Sequence, residues 1–197
     1  FPNYYLKDTL FDWLCDRHMD DTNLFHGWNN MCLRSLRTAN ESGAVTVVER
    51  ASTHPVVQRD LVETEFEQYG VDRSIYNDRQ FRRGVTELAE SDIVFVPSEF
   101  VYQSFLEQGF HDSDLRLIPF GVDTETFTPP SDLSREDQKF IAIFAGQVSL
   151  RKGFQYLLPA WERADIDGTL AFAGEVTDDA KHVVEEYRDS ESIEFLG

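Results

Sequence analysis

The stretch "FIAIFAGQVSLRKGFQYLLPAW", Phe140 to Trp161, decides the fold. Phe140 to Ala145 is an unbroken apolar run of strand length, and Gly146 ends it. A short polar loop, Gln147 to Leu150, follows. It carries Arg151 and Lys152 into Gly153, with a helix expected from near Lys152. Phe154, Leu157, Leu158, Trp161 and Ala164 then recur at i, i+3, i+4, i+7 and i+10, the spacing of one helix face. A buried strand, a glycine loop and an amphipathic helix make the opening unit of a parallel α/β sheet.

The same alternation runs outward on both sides. Downstream, Thr169 to Ala173 reads as a strand. Ala180, Val183, Val184 and Tyr187 mark a helix, and Ile193 to Leu196 a further strand. Upstream, helices are expected over Leu6 to Leu14, through Trp28, Cys32, Leu36 and Ala39 up to a stop at Gly43, over Val56 to Tyr69, and through Phe81, Val85, Leu88 and Ala89. Another starts at Ser98, whose hydroxyl suits an N-cap. Ala44 to Val48, Asp92 to Val96 and Leu115 to Pro119 read as strands. Thr22 to Trp28 holds only a short apolar stretch. "PFGVDTETFTPPSDLSREDQ", Pro119 to Gln138, interrupts the pattern and reads as a linker. The expected fold is α/β with two Rossmann-like lobes, residues 1–118 and 139–197. The second shows about three strands, fewer than a doubly wound sheet ordinarily has, so this lobe is expected to be cut short.

Composition narrows the function. The chain has 197 residues, 41% of them apolar, and sixteen Phe, enough to build a core. Its formal charge is -18, which disfavours nucleic acid as a partner. Fourteen Arg and only four Lys stand against thirty-six Asp and Glu. Such an acid-rich, lysine-poor surface is like that of proteins from a salt-loaded cytoplasm. Raising the salt from 0.1 M to 1 M shortens the Debye length from about 10 Å to about 3 Å and quiets the self-repulsion. The melting temperature is therefore expected to rise between low and molar KCl, and a flat curve removes this reading. Cys15 and Cys32 form neither a zinc pattern nor a disulfide framework, which suits a reducing cytoplasm. No apolar run approaches a membrane span and no basic amphipathic helix supports surface binding, although peripheral contact stays open.

At Gly146, ligand chemistry is expected. In a parallel sheet, ligands sit beyond the carboxyl ends of the strands, where helix-start N–H groups favour anions. Arg151 and Lys152 add two positive charges there. Set against this, a basic pair on a solvated turn is an ordinary feature, and no glycine-rich fingerprint is present.

Several motifs together carry a resemblance. "LAESDIVFVPSEFVYQSFLEQGFHDSDLRLIPFGVDTETFTP" (88–129), "FAGQVSLRKGFQYLLPAW" (144–161), "LAFAGEV" (170–176), "IEFLG" (193–197) and "VVERASTHP" (47–55) resemble, in order and spacing, the middle of a family 4 glycosyltransferase. The resemblance implies the GT-B fold and transfer of a sugar from a nucleotide-sugar donor with retention. It implies no metal and no separate cofactor. Lys152 matches the lysine that contacts the donor diphosphate, and Gly146 lets backbone approach it. Gln147 stands where the family often has arginine, and Arg151 can compensate with a bidentate grip. His54 matches the histidine that faces the reacting sugar; capping or packing at the next helix is its plainer reading. Ser149, Glu175, Ser98 and Arg50 are further candidates for donor or acceptor contacts. An inward ion pair with Glu49 is the plain reading of Arg50. Arg82 and Arg83 read as a solvated helix face, with an acidic acceptor as the sharper alternative.

The resemblance also leads one to expect a fragment, with both lobes incomplete. A glycine-rich loop near the start of the first lobe and an acidic donor-holding segment after the second are not in the sequence, and exposed sheet edges would be free to pair with another chain. Glycan, lipid and small-molecule acceptors all fit. The rival readings are another GT-B enzyme, such as a sugar-nucleotide epimerase or a phosphorylase, and a binding or scaffold module without turnover.

Overall fold

The computed structural model describes residues 4–20, 22–128 and 139–197. The chain divides into two compact units. The first comprises Phe1–Leu61 and Ser74–Val122; the second comprises Val62–Arg73 and Asp123–Gly197. Residues 129–138 of the expected linker lie outside the described residues.

The first unit holds a four-stranded parallel sheet in the order β1-β2-β3-β4, with β1 at Leu24–Trp28, β2 at Val45–Glu49, β3 at Ile93–Val96 and β4 at Leu115–Leu117. Helix α1 (Tyr4–Asp16) precedes the sheet. Helix α2 (Leu33–Ser42) crosses from β1 to β2, and α5 (Glu99–Leu106) from β3 to β4. Helices α3 (Pro55–Gln68) and α4 (Asp78–Glu90) lie between β2 and β3. Cys32, Leu36, Val48, Leu88, Val94, Val96, Val101, Phe105 and Leu115 form the core. Ser98 caps α5, its Oγ accepting from the Val101 N–H at 3.4 Å.

One expectation fails here. Trp28 does not open a helix; it ends β1, and α2 begins only at Leu33. Parallel pairing to β2, from Leu24 opposite Val45 to Trp28 opposite Glu49, imposes the strand on a segment poor in β-branched residues. Gly27 permits it, because a Cβ there would fall 2.7 Å from the Cys32 side chain. Both cysteines are free thiols, and burial pushes the Cys32 thiol far up from its ordinary pKa.

The second unit is a three-stranded parallel sheet, β5-β6-β7, at Phe140–Ala145, Gly168–Ala173 and Ile193–Phe195. Helix α6 (Phe154–Ala164) links β5 to β6, and α7 (Lys181–Glu186) links β6 to β7. Phe154, Leu158 and Trp161 of the expected helix face are buried, as are Leu170 and Phe172 of β6. Each such side chain contributes about 1.5–3 kcal/mol by leaving water. Strand β5 lies at the sheet edge, with Ile141 and Ile143 exposed. Within this unit the tail of α3 joins the sheet's helices: Glu65 accepts from Gln155 Nε2 at 3.0 Å and from the Tyr156 hydroxyl at 2.7 Å. The fold is thus α/β, built on two Rossmann-like parallel sheets. Among the described residues no helix is long and apolar enough to cross a membrane.

Candidate functional site

In the second unit the carboxyl ends of β5 and β6 meet at two glycines. Gly174 has φ of 153°, and a Cβ on it would fall 2.1 Å from the Gly146 carbonyl oxygen. Only glycine lets the two strand ends approach this closely. The loops beyond are stitched together. The Gly146 N–H donates to Ala173 O at 2.9 Å and the Val148 N–H to Glu175 O at 3.0 Å. Thr177 donates to Val148 O through its N–H at 3.1 Å and its hydroxyl at 3.0 Å. Glu175 itself is exposed, with its backbone carbonyl committed to this stitching.

Arg151 and Lys152 do not sit in the first turn of α6. They belong to a separate 3-10 turn, Leu150–Lys152, and Gly153 in the left-handed conformation divides it from the helix. The cause is local. The Leu150 N–H donates to Asp179 Oδ2 at 3.0 Å, and the Lys152 and Gly153 N–H groups close the turn onto Ser149 O and Leu150 O. Both cationic side chains are exposed and, among the described residues, make no ion pair or hydrogen bond. Around them the N–H groups of Gln147, Ser149 and Arg151 donate to no protein atom among the described residues. The Ser149 hydroxyl is buried and has no hydrogen-bond partner among the described residues. Gln155 braces the turn from below, its Nε2 donating to Leu150 O at 2.9 Å.

The carboxyl end of β2, an interior strand of the first unit, leads to the next candidates. His54 follows β2 and is buried. Its N–H donates to Ser104 Oγ at 2.9 Å, and its ring stands edge-on to Phe105 with centroids 5.2 Å apart. Its carbonyl accepts from the Gln58 N–H at 2.9 Å, so His54 begins α3 and Pro55 takes the first helical position, where an N–H is not needed. Burial, reinforced by the charge of Arg50, pushes the imidazole pKa down to about 4. The ring is neutral at pH 7. Its Nδ1 accepts from the Val56 N–H at 3.4 Å, which leaves the proton on Nε2.

Arg50 makes no ion pair with Glu49, whose carboxylate lies 3.2 Å from His26 instead. Its guanidinium is buried and engaged within the unit. It donates to Thr53 O at 3.1 Å, Asn29 Oδ1 at 2.7 Å, Gln58 Oε1 at 2.7 Å and the Tyr76 hydroxyl at 2.9 Å. These four bonds make Arg50 an organiser of the strand ends.

Arg82 and Arg83 part company. Arg82 is solvated, 3.9 Å from Asp78. Arg83 is buried, contrary to the solvated face expected of it. It donates to Asp12 Oδ2 at 2.8 Å, Glu87 Oε1 at 2.9 Å and Thr9 Oγ1 at 3.0 Å. The carboxylates on either side finish the start of α2. Asp12 accepts from the Arg34 and Ser35 N–H groups, and Glu87 from those of Asn30 and Cys32. Helix α2 has no side-chain cap of its own, so α1 and α4 supply it. The network continues from Glu87 through Asn29 to Arg50.

No protein-family model and no curated protein matches the chain. Among solved structures the chain is similar to the S. aureus MnaA–UDP co-structure, with a TM-score of 0.50 and 13% sequence identity over 98% of this chain. The match covers 51% of that chain, so the present one spans about half its length. At this identity the likeness shows the fold: α/β, Rossmann-like, with parallel sheets.

Proposed function

We propose that the chain is part of an enzyme that acts on nucleotide sugars, a retaining glycosyltransferase of the family 4 type. The 146–153 loop is its diphosphate site. The observation that supports this is the exposed Arg151–Lys152 turn at the carboxyl end of β5, among N–H groups with no protein acceptor among the described residues. Fixed donors and cations of this kind stabilise charge that develops on a leaving group. Breaking the bond between sugar and diphosphate puts negative charge on the diphosphate, and Lys152 and Arg151 receive it. In the retaining chemistry that the resemblance implies, the acceptor hydroxyl attacks from the face the leaving group vacates. Its proton passes to the departing phosphate, so no glycosidase-like carboxylate pair is required. His54 is assigned to the donor sugar by the same resemblance.

Gln147 supports a second reading. Where family 4 members often place arginine, this chain has a neutral side chain, and the remaining grip serves equally an enzyme that modifies a nucleotide sugar without transferring it. Sugar-nucleotide epimerisation is that alternative. UDP is the probe of choice, since the similar solved structure is a UDP complex. Titration calorimetry of the full chain in molar KCl is expected to show saturable, one-to-one UDP binding. Absence of binding by a folded sample overturns the nucleotide-sugar reading. Product analysis after incubation with UDP-sugars and acceptors separates transfer from epimerisation.

A further inference from the structure

We propose that Asp179 is the positioning residue of the diphosphate turn. The inference rests on the diphosphate reading of the 146–153 loop and names the group that holds that loop in shape. Asp178 and Asp179 are neighbours in a "TDD" turn, yet they differ completely in environment. Asp178 is solvated, 84% exposed, and paired with Lys181 at 2.7 Å. The Asp179 side chain is 1% exposed. A buried carboxylate costs several kcal/mol unless its oxygens are answered. Here each oxygen has its own partner. Oδ1 lies 2.6 Å from the Arg73 Nη2, and Oδ2 accepts from the Leu150 N–H at 3.0 Å.

Leu150 is the first residue of the 3-10 turn, and the two residues after it are Arg151 and Lys152. Asp179 therefore grips the turn at its start, without touching the cations. The neighbouring bonds act in the same sense. Val148 and Val176 form a parallel bridge, and Thr177 takes the Val148 carbonyl twice. The whole β6–α7 loop is a splint for the β5–α6 loop, and Asp179 is its charged end. With Leu150 held, the turn needs no reorganisation when a diphosphate arrives, and that pre-arrangement appears as affinity.

The test is UDP calorimetry on the full chain and five variants, with melting temperatures as a folding control. Asp179→Ala is expected to weaken UDP binding about tenfold, the size of one lost hydrogen bond to a charged group. Asp179→Asn keeps an acceptor for the Leu150 N–H and gives up the ion pair with Arg73; it is expected to stay within about threefold of the parent. In a background lacking both cations, Arg151→Ala with Lys152→Ala, Asp179→Ala is expected to add less than about twofold, because its effect runs through the placement of that turn. A purely structural role predicts the opposite pattern, a lower melting temperature with full UDP affinity in the folded fraction, and that result overturns the inference. Equal losses from Asp179→Ala in the two backgrounds overturn it too. Should Asp179→Ala not fold, Asp179→Asn decides: a folded variant that binds UDP as poorly as Lys152→Ala overturns the Leu150 route. If the parent binds UDP, Lys152→Ala weakens it and Asp179→Ala does not, the inference fails while the diphosphate reading stands. If the parent does not bind UDP, the diphosphate reading falls and takes the inference with it.

Discussion

Arg83→Ala is expected to destabilise the first unit by about 3–5 kcal/mol in chemical denaturation, the cost of breaking a buried ion pair from one side. Arg82→Ala, one residue earlier, is expected to leave the denaturation midpoint unchanged. The contrast follows from burial. The Arg83 side chain is 6% exposed and the Arg82 side chain 74%. Removing Arg83 leaves the carboxylates of Asp12 and Glu87 in the interior with no cation between them. Both still accept backbone N–H groups at the start of α2, so the loss reaches the α2 cap as well. The pH dependence has a definite sign. Burial already pushes the Glu87 carboxyl up from its ordinary pKa, and Arg83 is among the groups that pull it back. Without Arg83 the folded state takes up a proton more readily as pH falls. The stability gap between variant and parent is therefore expected to narrow in acid. A gap that is small at neutral pH, or one that widens in acid, overturns the network reading. Where Arg83→Ala yields no folded baseline, Arg83→Lys, which keeps the charge but not the fork, is expected to fall between the two.

The same two residues show where sequence reasoning reaches its limit. Arg82 and Arg83 look alike in "FRRG", and helical spacing places both away from the apolar stripe. What separates them is Asp12, seventy-one residues earlier, on another helix. No local pattern encodes such a partner. Strand β1 was hidden for a related reason. "LFHGW" has no β-branched residue, and only its pairing with β2 makes it a strand. The strands of the second sheet, by contrast, were open to reading. Its strands are short apolar runs and α6 carries its own stripe, so short-range periodicity is enough. Gly146 at the end of β5 was legible for the same reason, whereas the helix expected from near Lys152 begins only at Phe154, after the turn that carries the two cations. Asp179 was not, because nothing in "TDD" distinguishes the buried aspartate from the solvated one. His54 falls between: its place at a strand end is local information, whereas its neutrality comes from Phe105, Phe110 and Arg50 closing around it.

Lys152→Ala is expected to weaken UDP binding about tenfold, and Arg151→Ala with Lys152→Ala about a hundredfold, at one charge-assisted contact each. Because both side chains are exposed and unpaired among the described residues, their removal is expected to leave the melting temperature in place. That separates this pair from Arg83, whose loss acts on folding alone. Two controls sharpen the reading. Uridine carries no phosphate, so any affinity for it should be indifferent to both substitutions. The dependence of UDP affinity on KCl should also flatten in the double variant, since fewer charges then meet the diphosphate. The surrounding field gives the pair its weight. A chain with net charge -18 repels a diphosphate over most of its surface, and a local cationic grip has to overcome that repulsion. High salt weakens the repulsion and the grip together, so the substitutions are best compared at one fixed molar KCl concentration. Unchanged UDP affinity in the double variant would leave the Arg151–Lys152 turn an ordinary solvated turn and would remove the leaving-group chemistry built upon it.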